Sequence, residues 1–498
     1  MKTVLFVTSE AVPYIKTGGL ADVTGSLPKY FDKKEYEVRV ILPKYACMVE
    51  ELKNTLHHES HFYVDLGWRK QYVGILSAVY HGITYYFIDN EFYFSGNKPY
   101  NQIYEDVEKF AFFSKAVIEA LPILDYRPDI VHCHDWQTGL IPVYLKTLYK
   151  DRAFYHNMHV VYTIHNLMFQ GRWKLKAVRD ITGLPMELFK PDKLEAYGDA
   201  NYLKGGVVYA DAVTTVSKTY ADEITTPGRG EGLDGLMNAC MDKLYGIVNG
   251  IDYEEYNPQA DPDIYYLFGQ EDFAEGKRKN KQALQREFGL EEDDNLFLIG
   301  IVSRLTEQKG FALVEYMMDQ LLSDGRMQLA VLGEGEERYE HMFRHFAEKY
   351  PKRLSVHIVY SEEMTHKIYA SCNAFLMPSQ FEPCGLSQLM SLRYGTVPIV
   401  RETGGLKDTV SAYNEYEHTG TGFSFANFNA HEMRDTILYA LNIYRNHREE
   451  WNELAVRGMK QDYSWTHSAK KYEKIYDMLC RKNEEVSSGI RTDFSAIE

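Results

Sequence analysis

The sequence predicts an α/β protein assembled from two doubly wound parallel sheets. Three observations carry this. The 498 residues are too many for one hydrophobic core; length alone suggests about three domains, with two large ones a common exception. Short apolar, β-branched runs alternate with segments of helical length, as in buried parallel strands covered by helices. Thr17-Gly18-Gly19-Leu20-Ala21-Asp22 near the start is echoed by Thr403-Gly404-Gly405-Leu406-Lys407-Asp408 near the end, which fits two similar halves.

The expected strands run Val4–Thr8, Val38–Leu42, Tyr85–Asp89, Ile130–His132, Val160–His165, Ala212–Ser217 and Gly246–Asn249. A second series follows: Phe297–Ser303, Gln328–Gly333, Val356–Tyr360, Ala374–Pro378 and Val397–Arg401. The chain is expected to cross between halves just after Asn249-Gly250-Ile251-Asp252, where Asn257-Pro258 and Asp261-Pro262 break structure. Tyr463-Ser464-Trp465 opens a last helical stretch, and a polar tail covers 483–498.

The bulk composition narrows the function. Hydrophobic residues make up 45% and charged residues 25%, an ordinary globular balance. A formal charge of −16 argues against nucleic acid, whose binding is driven largely by Lys and Arg. The six cysteines form no CxxC pair, which points to neither a disulfide framework nor a zinc knuckle and fits a reducing, cytoplasmic compartment. No signal peptide or membrane-length apolar run is evident, so a soluble, unprocessed protein is expected.

In doubly wound sheets ligands bind at the carboxyl ends of the strands, and here those ends hold the chemistry. Lys16-Thr17-Gly18-Gly19 forms a glycine loop before a helix, where backbone N–H groups, the positive helix end and Lys16 suit a diphosphate. It is neither a Walker A loop nor G-x-G-x-x-G. Ser303-Arg304-Leu305-Thr306-Glu307-Gln308-Lys309-Gly310 places two cations across a strand-to-helix loop, enough to grip a diphosphate. Arg304, ending an apolar strand, is the more firmly placed of the two; Lys309 could be a surface cation. In Phe381-Glu382-Pro383-Cys384-Gly385, Glu382 can receive sugar hydroxyls or a developing positive charge, and Cys384 is expected to pack or line substrate rather than attack. His132-Cys133-His134-Asp135-Trp136 and Thr163-Ile164-His165-Asn166 invite a metal, but strand-end histidines that hydrogen-bond are the stronger reading. Asp261-Pro262-Asp263 resembles a metal-binding Asp-x-Asp and is discounted, because no strand precedes it. No metal site and no cofactor are expected. The 39 tyrosines suit sugar stacking, weakly.

Jointly and in this order, these motifs, with Asn249-Gly250-Ile251-Asp252 and Thr403-Gly404-Gly405-Leu406, closely resemble bacterial glycogen synthases and plant starch synthases. The resemblance runs from Val4 to about Tyr476. It implies a GT-B fold: two Rossmann-like domains facing across a cleft that holds the active site. The first would span 1–248, joined by a crossing helix at about 463–482, and the second 249–462. It implies ADP-glucose as donor, an α-1,4-glucan (glycogen) acceptor lengthened at its non-reducing end, and retention of configuration. It assigns catalysis to Glu382, His165, Asp135, Arg304 and Lys309. The diphosphate and donor go to Lys16, Gly18, Gly19, Arg304, Lys309, Thr403, Gly404 and Gly405, with Tyr360 stacking on adenine. Asp22, Asn166, Asn249, Cys384 and Gly385 line the sugar or acceptor side, and Asp22 also orders its loop. One departure stands out: Met168-Phe169 replaces the Ala-Tyr expected after His165-Asn166-Leu167.

Two alternatives stay open: a GT-B transferase using UDP-glucose or a small acceptor, and a catalytically dead glucan-binding protein. Neither a membrane partner nor a nucleic-acid partner is expected, and the oligomeric state is not readable from the sequence.

Overall fold

A computed structural model of the chain describes residues 1–488. The tail from 489 onward lies outside the described residues. The chain divides into two compact units. The first comprises 1–216, 221–247 and the stretch from Trp465; the second comprises Ser217–Tyr220 and Val248–Ser464. No helix among the described residues is long and apolar enough to cross a membrane.

The first unit contains β1 (Lys2–Val7), β2 (Tyr36–Pro43), β3 (His57–Leu66), β4 (Arg69–Tyr80), β5 (Ile83–Asp89), β6 (Ile130–His134) and β7 (His159–Ile164). It continues with β8 (Arg172–Lys174), β9 (Glu195–Ala196), β10 (Asp199–Asn201), β11 (Ala212–Thr215) and β12 (Leu244–Gly246). Among the described residues, nine of these form one sheet in the order β12-β11-β7-β6-β1-β2-β5-β4-β3, and β8, β9 and β10 form a small separate sheet. The central strand is apolar because it is covered on both faces: Val4, Leu5, Phe6 and Val7 are fully buried. From β1 the chain moves to β2 on one side and later to β6 on the other, so the switch point lies between β1 and β6.

The sheet is not wholly parallel, as the sequence had suggested. β3 and β4 form an antiparallel hairpin that pairs antiparallel with β5 at one edge. Its apolar residues alternate (Phe62, Val64, Leu66; Val73, Ile75) rather than run together, because only one face of the hairpin is buried.

The second unit is built on β13 (Phe297–Val302), β14 (Met327–Leu332), β15 (Leu354–His357), β16 (Ala374–Met377), β17 (Val397–Arg401) and β18 (Phe423–Phe425). These are all parallel, in the order β15-β14-β13-β16-β17-β18. The switch point falls between β13 and β16.

Two boundary details depart from expectation. The short segment Ser217–Tyr220 belongs with the second unit: Ser217 Oγ donates to the Pro383 carbonyl at 2.6 Å, and Thr219 donates from both its N–H and its hydroxyl to Asp408. The last helix runs Trp465–Ser488, past the end expected at 482. Its Tyr472 and Tyr476 are fully buried in the first unit, and the Tyr476 hydroxyl lies 2.7 Å from His132 Nδ1.

Candidate active site

In the first unit the chemistry stands on three adjacent strand ends, those of β1, β6 and β7. After β1, Glu10 is buried and fastens the glycine loop. Its carboxylate accepts the Thr17 backbone N–H, the Thr17 hydroxyl at 2.8 Å and the Tyr100 hydroxyl. Its main-chain carbonyl accepts from Thr8 and Thr24. Burial raises the Glu10 carboxyl above the ordinary range, while the donors from Tyr100 and Thr17 act against that rise. The sequence marks Ser9-Glu10 only as a strand end. Nothing local to Glu10 announces a staple; its partners lie 7 and 90 residues away.

The loop that Glu10 holds leads into the helix Gly19–Ser26, with Gly18 as its N-cap. A side chain at Gly18 would stand in open space, so packing does not require the glycine; it leaves the backbone bare on that side. Lys16 Nζ pairs with Asp22 of the same loop at 2.9 Å.

After β6 the backbone takes an unusual course. Asp135 has φ 56° and ψ −179°, a region that costs a non-glycine residue of order 1–3 kcal/mol. The turn is held by the Asp135 N–H donating to the Thr163 carbonyl at 2.9 Å. Asp135 Oδ1 in turn accepts the His165 N–H at 2.7 Å. Asp135 and His165 therefore form one cross-braced corner. Burial raises the Asp135 carboxyl to about 7 against those hydrogen bonds and lowers His165 to about 3, so the imidazole is neutral at ordinary pH.

The histidines form a stacked row. His132 and His134 lie 4.3 Å apart ring to ring, and His134 Nδ1 meets His165 Nε2 at 3.0 Å. His134 Nε2 is buried and has no hydrogen-bond partner among the described residues. These contacts agree with hydrogen-bonding histidines. Asn166 and the exposed pair Met168 and Phe169 follow on the same loop.

In the second unit the groups stand on either side of the switch point. Lys309, after β13, lies 2.6 Å from Glu382, after β16. Glu382 is buried and also accepts from Ser379 Oγ at 2.9 Å. Arg304 corrects the sequence reading. Its side chain is exposed and its guanidinium has no ion-pair or hydrogen-bond partner among the described residues, while Lys309 is the embedded cation. The apolar strand ends at Val302, and the chain has already turned outward at Arg304.

The loops here are fastened glycine to carbonyl. Gly404 has φ 46°, and a Cβ there would stand 2.0 Å from the Glu382 carbonyl oxygen; one at Gly405 would stand 2.2 Å from that of Cys384. The Gly405 N–H is shared by the Glu382 and Pro383 carbonyls at 3.2 and 3.1 Å. Gly385, at φ 73°, turns against Gln388. Cys384 is buried, with its thiol pushed up to about 12 by burial, so it stays protonated and is no nucleophile. Asn249 is buried, and its side-chain carbonyl oxygen has no partner among the described residues. Tyr360 is exposed, and its hydroxyl donates to Glu362.

Asp261 and Asp263 lie with His366 in a cluster that could hold a cation. Asp261, however, is bonded to His366 Nδ1 at 2.7 Å and accepts the Tyr394 hydroxyl, deep in the unit, so the pair reads as an internal brace.

Two Rossmann-like units, one with a glycine loop at its first helix and one with cations beside a buried glutamate at its switch point, define a glycosyltransferase of the GT-B class. Comparison with known proteins agrees. The family described as starch synthase catalytic domain matches residues 3–239, and glycosyl transferases group 1 matches residues 280–457. The chain is 64% identical over 479 residues to the glycogen synthase of Lachnospira eligens, covering 96% of this chain and all of that one. It is 48% identical over 481 residues to that of Geobacillus thermodenitrificans, covering 97% and 98%. Among solved structures, the catalytic domain of starch synthase IV from Arabidopsis thaliana, bound to ADP and acarbose, matches with a TM-score of 0.89 at 30% identity, covering 96% of this chain and 99% of that one. The chain belongs to the glycogen synthase family of glucosyltransferases.

Proposed function

We propose that this enzyme transfers glucose from ADP-glucose to the non-reducing end of an α-1,4-glucan with retention of configuration. The observation that carries this is the pairing of Lys309 with buried Glu382 at the switch point of the second sheet, with Arg304 on the same loop as Lys309. Lys309 is held by Glu382, and Arg304 stands free to meet an anion. The ADP bound to starch synthase IV supports the donor base.

In this reading the bond between glucose C1 and the diphosphate oxygen breaks, and its electron pair leaves with the diphosphate. Arg304, Lys309, Lys16 and the Gly18-Gly19 amides stabilise that charge. The acceptor 4-hydroxyl oxygen bonds to C1 from the same face, and its proton passes to the departing phosphate. Glu382 sets the position of Lys309 and has acceptor capacity left for sugar hydroxyls. Asn249 Oδ1 gains the donor it lacks. His165 hydrogen-bonds a sugar oxygen, and Asp135 holds it in place through the His165 N–H. Asp22, Asn166 and Gly385 belong to the sugar side, Thr403 and Gly404 to the donor side, and Tyr360 offers its ring to adenine. A cytoplasmic location goes with this reading and is supported by six free thiols.

The test is nucleotide release from ADP-glucose and from UDP-glucose, with glycogen and without added metal. Glycogen-dependent ADP release is expected, falling at least about a hundredfold in Arg304→Ala and in Lys309→Ala. Release from UDP-glucose alone would overturn the donor. Near-normal turnover in either variant would overturn the role of the cations.

A further inference from the structure

The helix Ile103–Ile123 carries a buried ion pair in its first two turns. Asp106 and Lys109 stand three residues apart, with Oδ1 and Nζ at 2.6 Å, and each residue is 3% exposed. Taking two charges out of water costs more than their attraction returns unless further hydrogen bonds complete the pair. Here those bonds all go to one short segment. Lys109 Nζ donates to the Pro99 carbonyl at 2.7 Å. The other Asp106 oxygen accepts the Asn101 N–H at 2.9 Å, just ahead of the helix.

The residue gripped between these two bonds is Tyr100. Its hydroxyl donates to the Glu10 carboxylate and lies 2.8 Å from Ser9 Oγ. Glu10 in turn holds the Thr17 N–H and hydroxyl. One line of hydrogen bonds therefore runs from the ion pair, through 99–101 and Glu10, to the loop that carries Lys16, Gly18 and Gly19. Stability alone does not account for the pair, because apolar side chains of similar volume in its place are often as stable or more so. Such side chains could neither donate to the Pro99 carbonyl nor accept the Asn101 N–H, and would leave Tyr100 without its two anchors.

We propose that Asp106 and Lys109 are positioning residues for the donor: they fix Pro99-Tyr100-Asn101, so that Tyr100 and Glu10 keep the first glycine loop in the geometry that receives the leaving diphosphate. They act through Tyr100 and Glu10 and not on the substrate. The inference rests on the proposed part of that loop in binding the donor. Misplacing a binding group by about 1 Å, even from a distant substitution, can cost about a hundredfold in rate. A relay of three links passes on part of such a shift.

The test compares the full-length enzyme with Lys109→Met and with the double variant Asp106→Asn, Lys109→Met. The single variant leaves the Asp106 carboxylate buried without its cation and should unfold at lower denaturant; the double variant, which removes both charges, should recover most of that loss. In the double variant kcat should fall about tenfold and the KM for ADP-glucose should rise about 3- to 10-fold, while the KM for glycogen stays unchanged. Loss of folded enzyme alone would lower kcat and move neither KM, and that result overturns the proposal, as does parental kcat and KM. A rise in the KM for glycogen, with that for ADP-glucose unchanged, overturns it too, by placing the segment on the acceptor. If the unaltered enzyme does not turn over ADP-glucose, the proposed reaction fails, and calorimetric binding of ADP then reads the loop. Binding at least about threefold weaker in the double variant supports the relay, and equal affinity overturns it.

Discussion

Thr17–Asp22 in the first unit and Thr403–Asp408 in the second share Thr-Gly-Gly-Leu and a closing aspartate, yet the fold uses them in opposite ways. At Gly18 a side chain would meet nothing, and the loop is held from beneath by hydrogen bonds to Glu10. At Gly404 and Gly405 a side chain would run into the carbonyls of Glu382 and Cys384, and the loop is held by close packing. The aspartates diverge in the same way. Asp22 pairs with Lys16 of its own loop, whereas Asp408 ties down Thr219 on a distant segment. The first loop keeps its backbone open to a ligand; the second serves to position Glu382.

The sharpest way to break this comparison is to add one methyl group to each loop. Gly404→Ala should lose about 3 kcal/mol of stability or more, from positive φ plus overlap with the Glu382 carbonyl. Gly18→Ala should stay within about 0.5 kcal/mol. Denaturant unfolding of the two variants reads the difference, and equal losses would end the contrast.

The next effect concerns Glu382. Lys309→Met leaves that buried carboxylate without its cation and should cost about 3 kcal/mol. Adding Glu382→Gln should restore most of the stability while turnover stays low. A stable single variant would show that Lys309 does not hold Glu382.

Asp135 sharpens the picture from the first unit's side. Its folded-state carboxyl lies at about 7, above its ordinary 3.8, so the native state holds that proton more tightly than the unfolded chain. The group's contribution is fully present below about pH 4 and is lost as pH rises through about 7. Asp135→Asn should therefore be more stable than the parent by of order 2 kcal/mol at pH 8, with the gap closing toward pH 4. Unfolding measured across that range checks the sign; a gap that widens on acidification would contradict it.

A small stability change is also expected at Lys16. Its pair with Asp22 is partly solvated, so Lys16→Met should cost no more than about 1 kcal/mol. Turnover should nevertheless fall about a hundredfold if Lys16 meets the leaving diphosphate. Retained turnover would leave the open loop without that role.

Much of this was legible in the order of residues alone. β-branched runs ending in glycine or polar residues marked the buried parallel strands, because a strand covered on both faces must be apolar along its length. The glycine loops, Glu382 and the His-Asp and His-Asn corners were visible for the same reason: they sit where those runs stop. The β3–β4 hairpin was missed, since a strand with one wet face alternates and His57–His61 contains no apolar residue. The weight given to Arg304 over Lys309 was also misplaced, because which side of a turn a cation faces depends on the loop packed against it.

The sequence by itself determined the two α/β halves and the family, both of which follow from local pattern and residue type. Only the tertiary structure decided that Glu10 braces the first glycine loop, that Gly404 and Gly405 are packing necessities and that His134 meets His165. Each of these depends on atoms brought together from distant parts of the chain, and burial, not sequence spacing, fixes the energy of such contacts.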